Sequence, residues 1–253
     1  MSELAATLRN AVRALADADR SLRRFGAAHH RYALAPPLTA AQLAALEARV
    51  GALPDDVRAF ATEIAAGGAG PYYGIVPIDR GEALAAPRGA PWARGLPIAH
   101  LGCGYLAVLA LDGAARGEIW IDARALAICA PIAPSFTAFV VDWIDRVAHA
   151  RWLDAHVPPG VCPLAAALSG FLAHCEAERG LAAGTIAGAD LRAALARLGP
   201  GAIEIAATGA APWFADGERV DPCVACAQLV DSLADAGLAR EVVAPGLPPA
   251  PLR

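Results

Sequence analysis

The sequence predicts an α+β domain, and three observations carry that prediction. Helical periodicity dominates from the N-terminus to Ile64. Strand-like runs with turn signals between them then occupy Tyr105 to Ile132, and one strongly amphipathic helix closes the block. Helices, then consecutive strands, then a helix give segregated layers, not the strict alternation of a doubly wound sheet.

The elements follow in order. Ser2 is placed to cap a first helix whose Leu4, Leu8, Val12 and Leu15 fall on one face. The basic stretch Ser21–Tyr32 (SLRRFGAAHHRY) reads as a solvated connector, with His29 and His30 sent to opposite faces of an extended backbone. Thr39 with Gln42 three residues on predicts a capping box, Leu43, Leu46 and Val50 form the stripe behind it, and Gly51 supplies the stop. Pro54 sits where a first-turn proline is tolerated. Asp55 and Asp56 then complement the helix dipole, and Val57, Phe60 and Ile64 point inward.

Tyr105–Leu111 and Glu118–Asp122 read as antiparallel strands joined by the turn-rich DGAARG, and Ala125–Ile132 as a third strand ended by Pro134. Ser135 caps the closing helix, which carries Phe136, Phe139, Val140, Trp143, Ile144 and Val147. HVPPG (His156–Gly160) marks a boundary. Beyond it a mainly helical extension is expected, with helices near Pro163–Glu178, Asp190–Leu198 and Ala225–Ala236 and a short strand at Ala202–Ala207. The expected divisions are an N-terminal helix (1–24), a main domain (25–154), the extension (155–244) and a proline-rich tail (245–253).

Composition narrows the function classes. The 253 residues are 57% hydrophobic and 18% charged, which excludes a disordered chain. Mean hydropathy is +0.42, but much of it is alanine, and runs such as Tyr105–Leu111 are too short to cross a bilayer. The opening residues mix charges and lack the form of a signal peptide, so a cytoplasmic protein is expected, with no membrane partner. Formal charge is −4 and the chain contains no lysine. That removes Schiff-base and P-loop lysine chemistry, and a mildly acidic chain makes nucleic acid an unfavourable partner.

The glycine-rich GGAGPYYGI (Gly67–Ile75) is the most conspicuous motif, and it fails as a phosphate cradle. No lysine exists to reach a phosphate, Tyr73 stands where a dinucleotide fingerprint needs its third glycine, and the loop follows a helix instead of a strand. Its glycines and Pro71 are read as backbone geometry.

Other chemistries find little support. Cys223 and Cys226 form a Cys-x-x-Cys pair, for which Cys162, His174 and Cys175 are the candidate further zinc ligands, at a spacing that matches no familiar ribbon or finger. Cys103 lies near His100 without a geometry that makes them face each other. Ser169 lacks a nucleophile-elbow setting, and Glu47, Asp55, Asp56 and Glu63 read as helix-surface charges. No catalytic residue, cofactor, metal or small-molecule substrate is therefore expected. Tyr72, Tyr73, Tyr105, Trp120 and Trp143 read either as core anchors or, in part, as stiff amphipathic contacts for a protein partner.

The ordered set LPDDVRAF, GGAGPYYGI, GCGYLAVLALDG and GEIWID, closed by SFTAFVVDWID, resembles the SUKH superfamily, which takes in the yeast cell-wall glucan synthesis regulator and many bacterial immunity proteins. The similarity covers about Phe25 to Ala150, and Ala66 stands where asparagine often precedes the paired glycines. The resemblance implies a twisted antiparallel sheet flanked by helices. It implies structural roles for Gly68, Gly70, Pro71, Gly74, Gly104 and Trp120, and binding in place of catalysis. The function it implies is neutralisation of a toxin encoded next door; the family's contact surface varies with its toxin, so Tyr72, Tyr73, Tyr105 and Trp120 are candidate contacts on residue chemistry alone. Two alternatives stand beside it: a regulatory or scaffold adaptor of the same fold, and a zinc- or thiol-dependent protein using Cys223, Cys226 and a neighbour such as Cys175.

Overall fold

A five-stranded antiparallel sheet lies at the centre of the computed structural model, which describes residues 3–154, 156, 173–183, 185, 193 and 221–228. Its strands are β1 (Leu84–Ala85), β2 (Arg94–Gly102), β3 (Tyr105–Ala110), β4 (Ile119–Ala123) and β5 (Ile128–Ala133), arranged in chain order. Period-two alternation sends the two sides of β3 to different partners. Tyr105, Ala107 and Leu109 face the main core, while Leu106, Val108 and Ala110 join a smaller cluster around Trp92 on the opposite face. Because both sides are covered, β3 is buried throughout, which is why it reads as a continuous apolar run.

The strands expected at Tyr105–Leu111 and Glu118–Asp122 are β3 and β4, paired Leu106↔Asp122 through Leu109↔Ile119. The third begins later than expected, because a 3-10 turn occupies Arg124–Leu126. β1 and β2 were not anticipated. β2 carries Pro97 inside the run RGLPIAHLG, and its register against β3 shifts twice, so its apolar residues do not alternate cleanly.

The helices are α1 (Glu3–Ala18), α2 (Ala27–His30), α3 (Ala40–Val50), α4 (Asp55–Ala59) and α5 (Phe136–Ala148). α1 buries Leu8, Val12 and Leu15 in the same core as the inner sheet face. Ser2 lies outside the described residues. α3 has the expected capping box and the expected stop, with Gly51 at φ 93°. In α5 the Ser135 side chain accepts the Ala138 N–H, and Phe136, Phe139, Val140, Trp143 and Val147 are buried.

The third helix departs from expectation. After Ala59 the backbone widens into a π-helical turn at Phe60–Ile64. The Arg9 guanidinium donates to the carbonyls of Glu63 and Ile64 at 3.0 and 2.9 Å, satisfying the end of that turn from α1. Two residues read as surface charges also have structural partners: Asp56 accepts the Thr137 N–H at the start of α5, and Glu47 accepts that of Leu53.

Ser21–Tyr32 is a built turn, not a solvated connector. Buried Asp19 accepts the N–H groups of Arg23 and Arg24 and the Tyr32 hydroxyl, at 2.8, 3.1 and 2.8 Å. His29 and His30 belong to helical α2, so neither is on an extended backbone. Buried His30 lies edge-on to Trp143 and accepts the Tyr32 N–H at Nδ1. Burial pushes its pKa from 6.5 down to about 4, with His29 adding to the shift and Asp19 opposing it.

The unfolded chain takes up a proton at this ring below about pH 6.5 while the folded chain refuses it until about pH 4. Stability is therefore lost as pH falls through that window, by up to about 3 kcal/mol at ~1.4 kcal/mol per unit. Urea denaturation of wild type and His30→Gln at neutral pH and near pH 4.5 checks this. The variant is expected to lose distinctly less on acidification.

Of the extension, residues 173–178 and 224–228 are helical. The helix and strand expected at Asp190–Leu198 and Ala202–Ala207, and the tail, fall outside the described residues except for position 193. No described helix is long and apolar enough to cross a membrane.

Candidate functional site

GGAGPYYGI forms the corner between the π turn and the sheet. Gly68 bridges to both Leu34 and Ile75, and Ile75 bridges on to Ala99 of β2. The corner holds Tyr72 in the left-handed region, at φ 55°. A non-glycine residue held there is strained, and the surroundings over-determine it. The Tyr72 hydroxyl donates to the Asp154 carbonyl at 3.0 Å, and its ring lies against Phe139. The Tyr73 hydroxyl donates to the Pro222 carbonyl at 2.6 Å. Tyr72, Tyr73 and Tyr105 are all buried, and burial raises each phenol well above its ordinary value. All three stay protonated at neutral pH, as hydrogen-bonding and packing groups.

The second part of the site is the β2–β3 turn, Gly102-Cys103-Gly104, where all three residues have positive φ. Cys103 and Gly104 as the two-residue loop give the turn whose twist suits a hairpin. Residues 221–226 lie directly on it. The Cys103 N–H donates to the Asp221 carbonyl at 2.6 Å, and the Cys223 N–H donates to Cys103 Sγ at 3.2 Å. Gly102 makes the approach possible, since a Cβ there would stand 2.2 Å from the Pro222 carbonyl oxygen. Cys223 and Cys226 open the short helix above the turn, and their sulfurs are 3.6 Å apart. Cys103 Sγ is 3.9 Å from Cys226 Sγ. The hydrogen bond shared with Cys103 draws the Cys223 thiol down from 9.0 to about 7, while the same bond and burial raise Cys103.

The third part is a groove of about 240 Å³ beside this seam. Its floor includes Tyr72, Phe139, Trp143, Ile132 and Pro134, and its rim carries Asp142, Arg146, Asp154 and His156. α5 sets the spacing: Phe139, Trp143 and Arg146 follow one another at helical intervals along one face. Arg146 donates to Asp142 at 2.7 Å and to Asp154 at 2.8 Å, and both carboxylates stay largely exposed. Two carboxylates around one guanidinium leave the rim with an acidic excess. Burial lowers the pKa of His156, so the ring is neutral at pH 7 and contributes no charge.

The sequence-predicted contacts thus separate. Tyr72 lines the groove, whereas Tyr73 and Tyr105 lie beneath residues 221–226, and a partner would reach them only if that segment lifted. Trp120 is half-buried on the opposite sheet face, its indole N–H donating to Glu118. Of the candidate zinc ligands, Cys223 and Cys226 come together, but Cys175 is buried elsewhere and His174 is exposed beside Glu178. Their place is taken by Cys103, which the sequence sets near His100 without making the two face each other. Nothing in local spacing signals a contact 120 residues away in the chain. Asp142, Arg146 and Asp154 were likewise missed, although Asp142 and Arg146 show the i,i+4 spacing of a helix-surface ion pair.

Residues 37–142 match the model of the SMI1 / KNR4 family (SUKH-1). No curated protein and no solved structure matches the chain. The matched segment runs from the residues before the capping box to the middle of α5, taking in the glycine-rich corner and the whole sheet. Over residues 37–142, which carry this five-stranded antiparallel sheet, the chain is similar to the SMI1 / KNR4 family (SUKH-1).

Proposed function

We propose that this chain is a non-catalytic binding protein, an immunity protein that neutralises a toxin by covering its working surface. The observation that carries the reading is the SUKH-1 match over residues 37–142. The groove supports it, with an aromatic floor that supplies stiff apolar contact area and an acidic rim able to receive arginine or lysine side chains. The partner surface is accordingly basic and apolar, and electrostatic attraction speeds its docking. Trp120, half-buried on the outer sheet face, is a second contact candidate, and Tyr72 enters from the groove floor.

The test is co-expression with the toxin gene encoded beside this one, in cells that the toxin alone arrests. Wild type restores growth. Reversal of the rim by Asp142→Arg with Asp154→Arg, both on exposed side chains, weakens the complex roughly tenfold or more and impairs rescue while the fold persists. Absence of rescue by well-folded wild type would remove the reading. A regulatory adaptor of the same fold would bind a partner whose activity is not toxic, so growth rescue separates the two.

A further inference from the structure

The geometry points to a zinc site built by Cys103, Cys223 and Cys226, which clamps the C-terminal segment onto the β2–β3 turn. These three sulfurs lie within 4.8 Å of one another, and theirs is the one group of three or more metal-ligating side chains among the described residues. Two of their separations fit a tetrahedral site. Thiolates bound tetrahedrally at about 2.3 Å from zinc stand about 3.8 Å apart. The pairs Cys223–Cys226 and Cys103–Cys226 stand at 3.6 and 3.9 Å. These are tetrahedral edges, far longer than the ~2 Å of a disulfide.

The surroundings fit a metal-bound knuckle. Cys223 and Cys226 are three residues apart at the opening of a helix, the spacing at which a Cys-x-x-Cys pair presents both sulfurs to one ion. The backbone N–H of Cys223 donates to Cys103 Sγ. Such N–H donors orient thiolate ligands and offset their charge. Cys223 and Cys226 are buried and Cys103 half-buried, so the ion would sit shielded at the seam. The remaining ligand position is filled from beyond these three.

Neither Cys103 nor Cys223 is in a disulfide, whereas Cys226 is disulfide-bonded. Loading therefore begins with a phosphine reductant. It supplies the two electrons that, with two protons from water, open the disulfide to two thiols, and it leaves as the phosphine oxide. Zinc then binds the sulfurs as thiolates and the thiol protons pass to buffer. The oxidised protein is the built-in control.

The test uses the full chain, reduced, incubated with zinc alone and freed of excess metal by gel filtration. One tightly held zinc per chain is expected, with much less on the unreduced protein. Cobalt(II) in its place should show the thiolate-to-metal charge-transfer band and strong visible absorption of tetrahedral sulfur ligation. Cys223→Ser and Cys226→Ser lose the band, whereas Cys129→Ser, in β5 outside the cluster, keeps it. The cobalt spectrum of wild type decides the matter even if a variant fails to fold. A reduced wild-type protein that retains no zinc, or a cobalt spectrum without the charge-transfer band, overturns the site. So does a band that survives loss of Cys223 and Cys226. None of these outcomes depends on the toxin reading.

Discussion

Replacing Gly26 with alanine is expected to cost about 3 kcal/mol or more, a large share of the ~5–15 kcal/mol that holds a domain folded. Two causes add at this position. Gly26 begins α2 at φ 77°, a left-handed conformation that costs an ordinary residue about 1–2 kcal/mol. A Cβ there would also stand 1.6 Å from the Tyr72 carbonyl oxygen, which is backbone and cannot swing aside. Either the connector lifts from the glycine-rich corner or the corner gives way, and both moves disturb Phe25 against Tyr72 and Tyr73. Gly89 supplies the control. Its φ is 85°, but nothing lies within 4 Å of the added atom, so Gly89→Ala meets only the backbone cost. Denaturant titration of both variants should find Gly26→Ala the more damaging by a wide margin. Equal losses would show that the connector does not pack on the corner as described.

The second large effect is expected at Trp143. Its side chain is 1% exposed, stacked near Tyr32 at 6.5 Å and edge-on to His30 at 5.7 Å. Trp143→Ala removes a large aromatic from a site bounded by α5, α2 and the groove floor, and such truncations cost about 3–5 kcal/mol. Trp152, 40% exposed and 6.2 Å from Phe25, is the contrast. Trp152→Ala should cost well under half as much. Thermal or urea unfolding of the pair measures this, and similar losses would mean that the α5 face is not the packed centre of the core. Since Trp143 also floors the groove, its truncation should weaken partner binding along with stability, unlike the rim reversals.

Local chemistry made several elements legible before the structure was known. Thr39 and Gln42 announce α3 because a capping box satisfies two backbone donors with nearby side chains, and Ser135 announces α5 as a simple N-cap that satisfies one. β3 and β4 were legible because burial on both faces or alternate faces writes itself into residue choice. β2 was not, because Pro97 and two register shifts break its period. The π turn at Phe60–Ile64 depends on Arg9 reaching across from α1, a contact that no local window contains. The same reason hid the seam. Tyr73 meets Pro222 and Cys103 meets Cys223 through long-range packing, so the tyrosines and cysteines were legible as residue types but not as neighbours.

The central proposal, that this chain binds and covers a toxin, is tested most directly by titrating the purified full chain into the purified product of a toxin gene found beside its own. The account predicts a saturable one-to-one complex, weakened by Asp142→Arg with Asp154→Arg and accompanied by loss of toxin activity. A folded wild-type chain that forms no complex, or one whose complex is indifferent to the rim and leaves the toxin active, would contradict it.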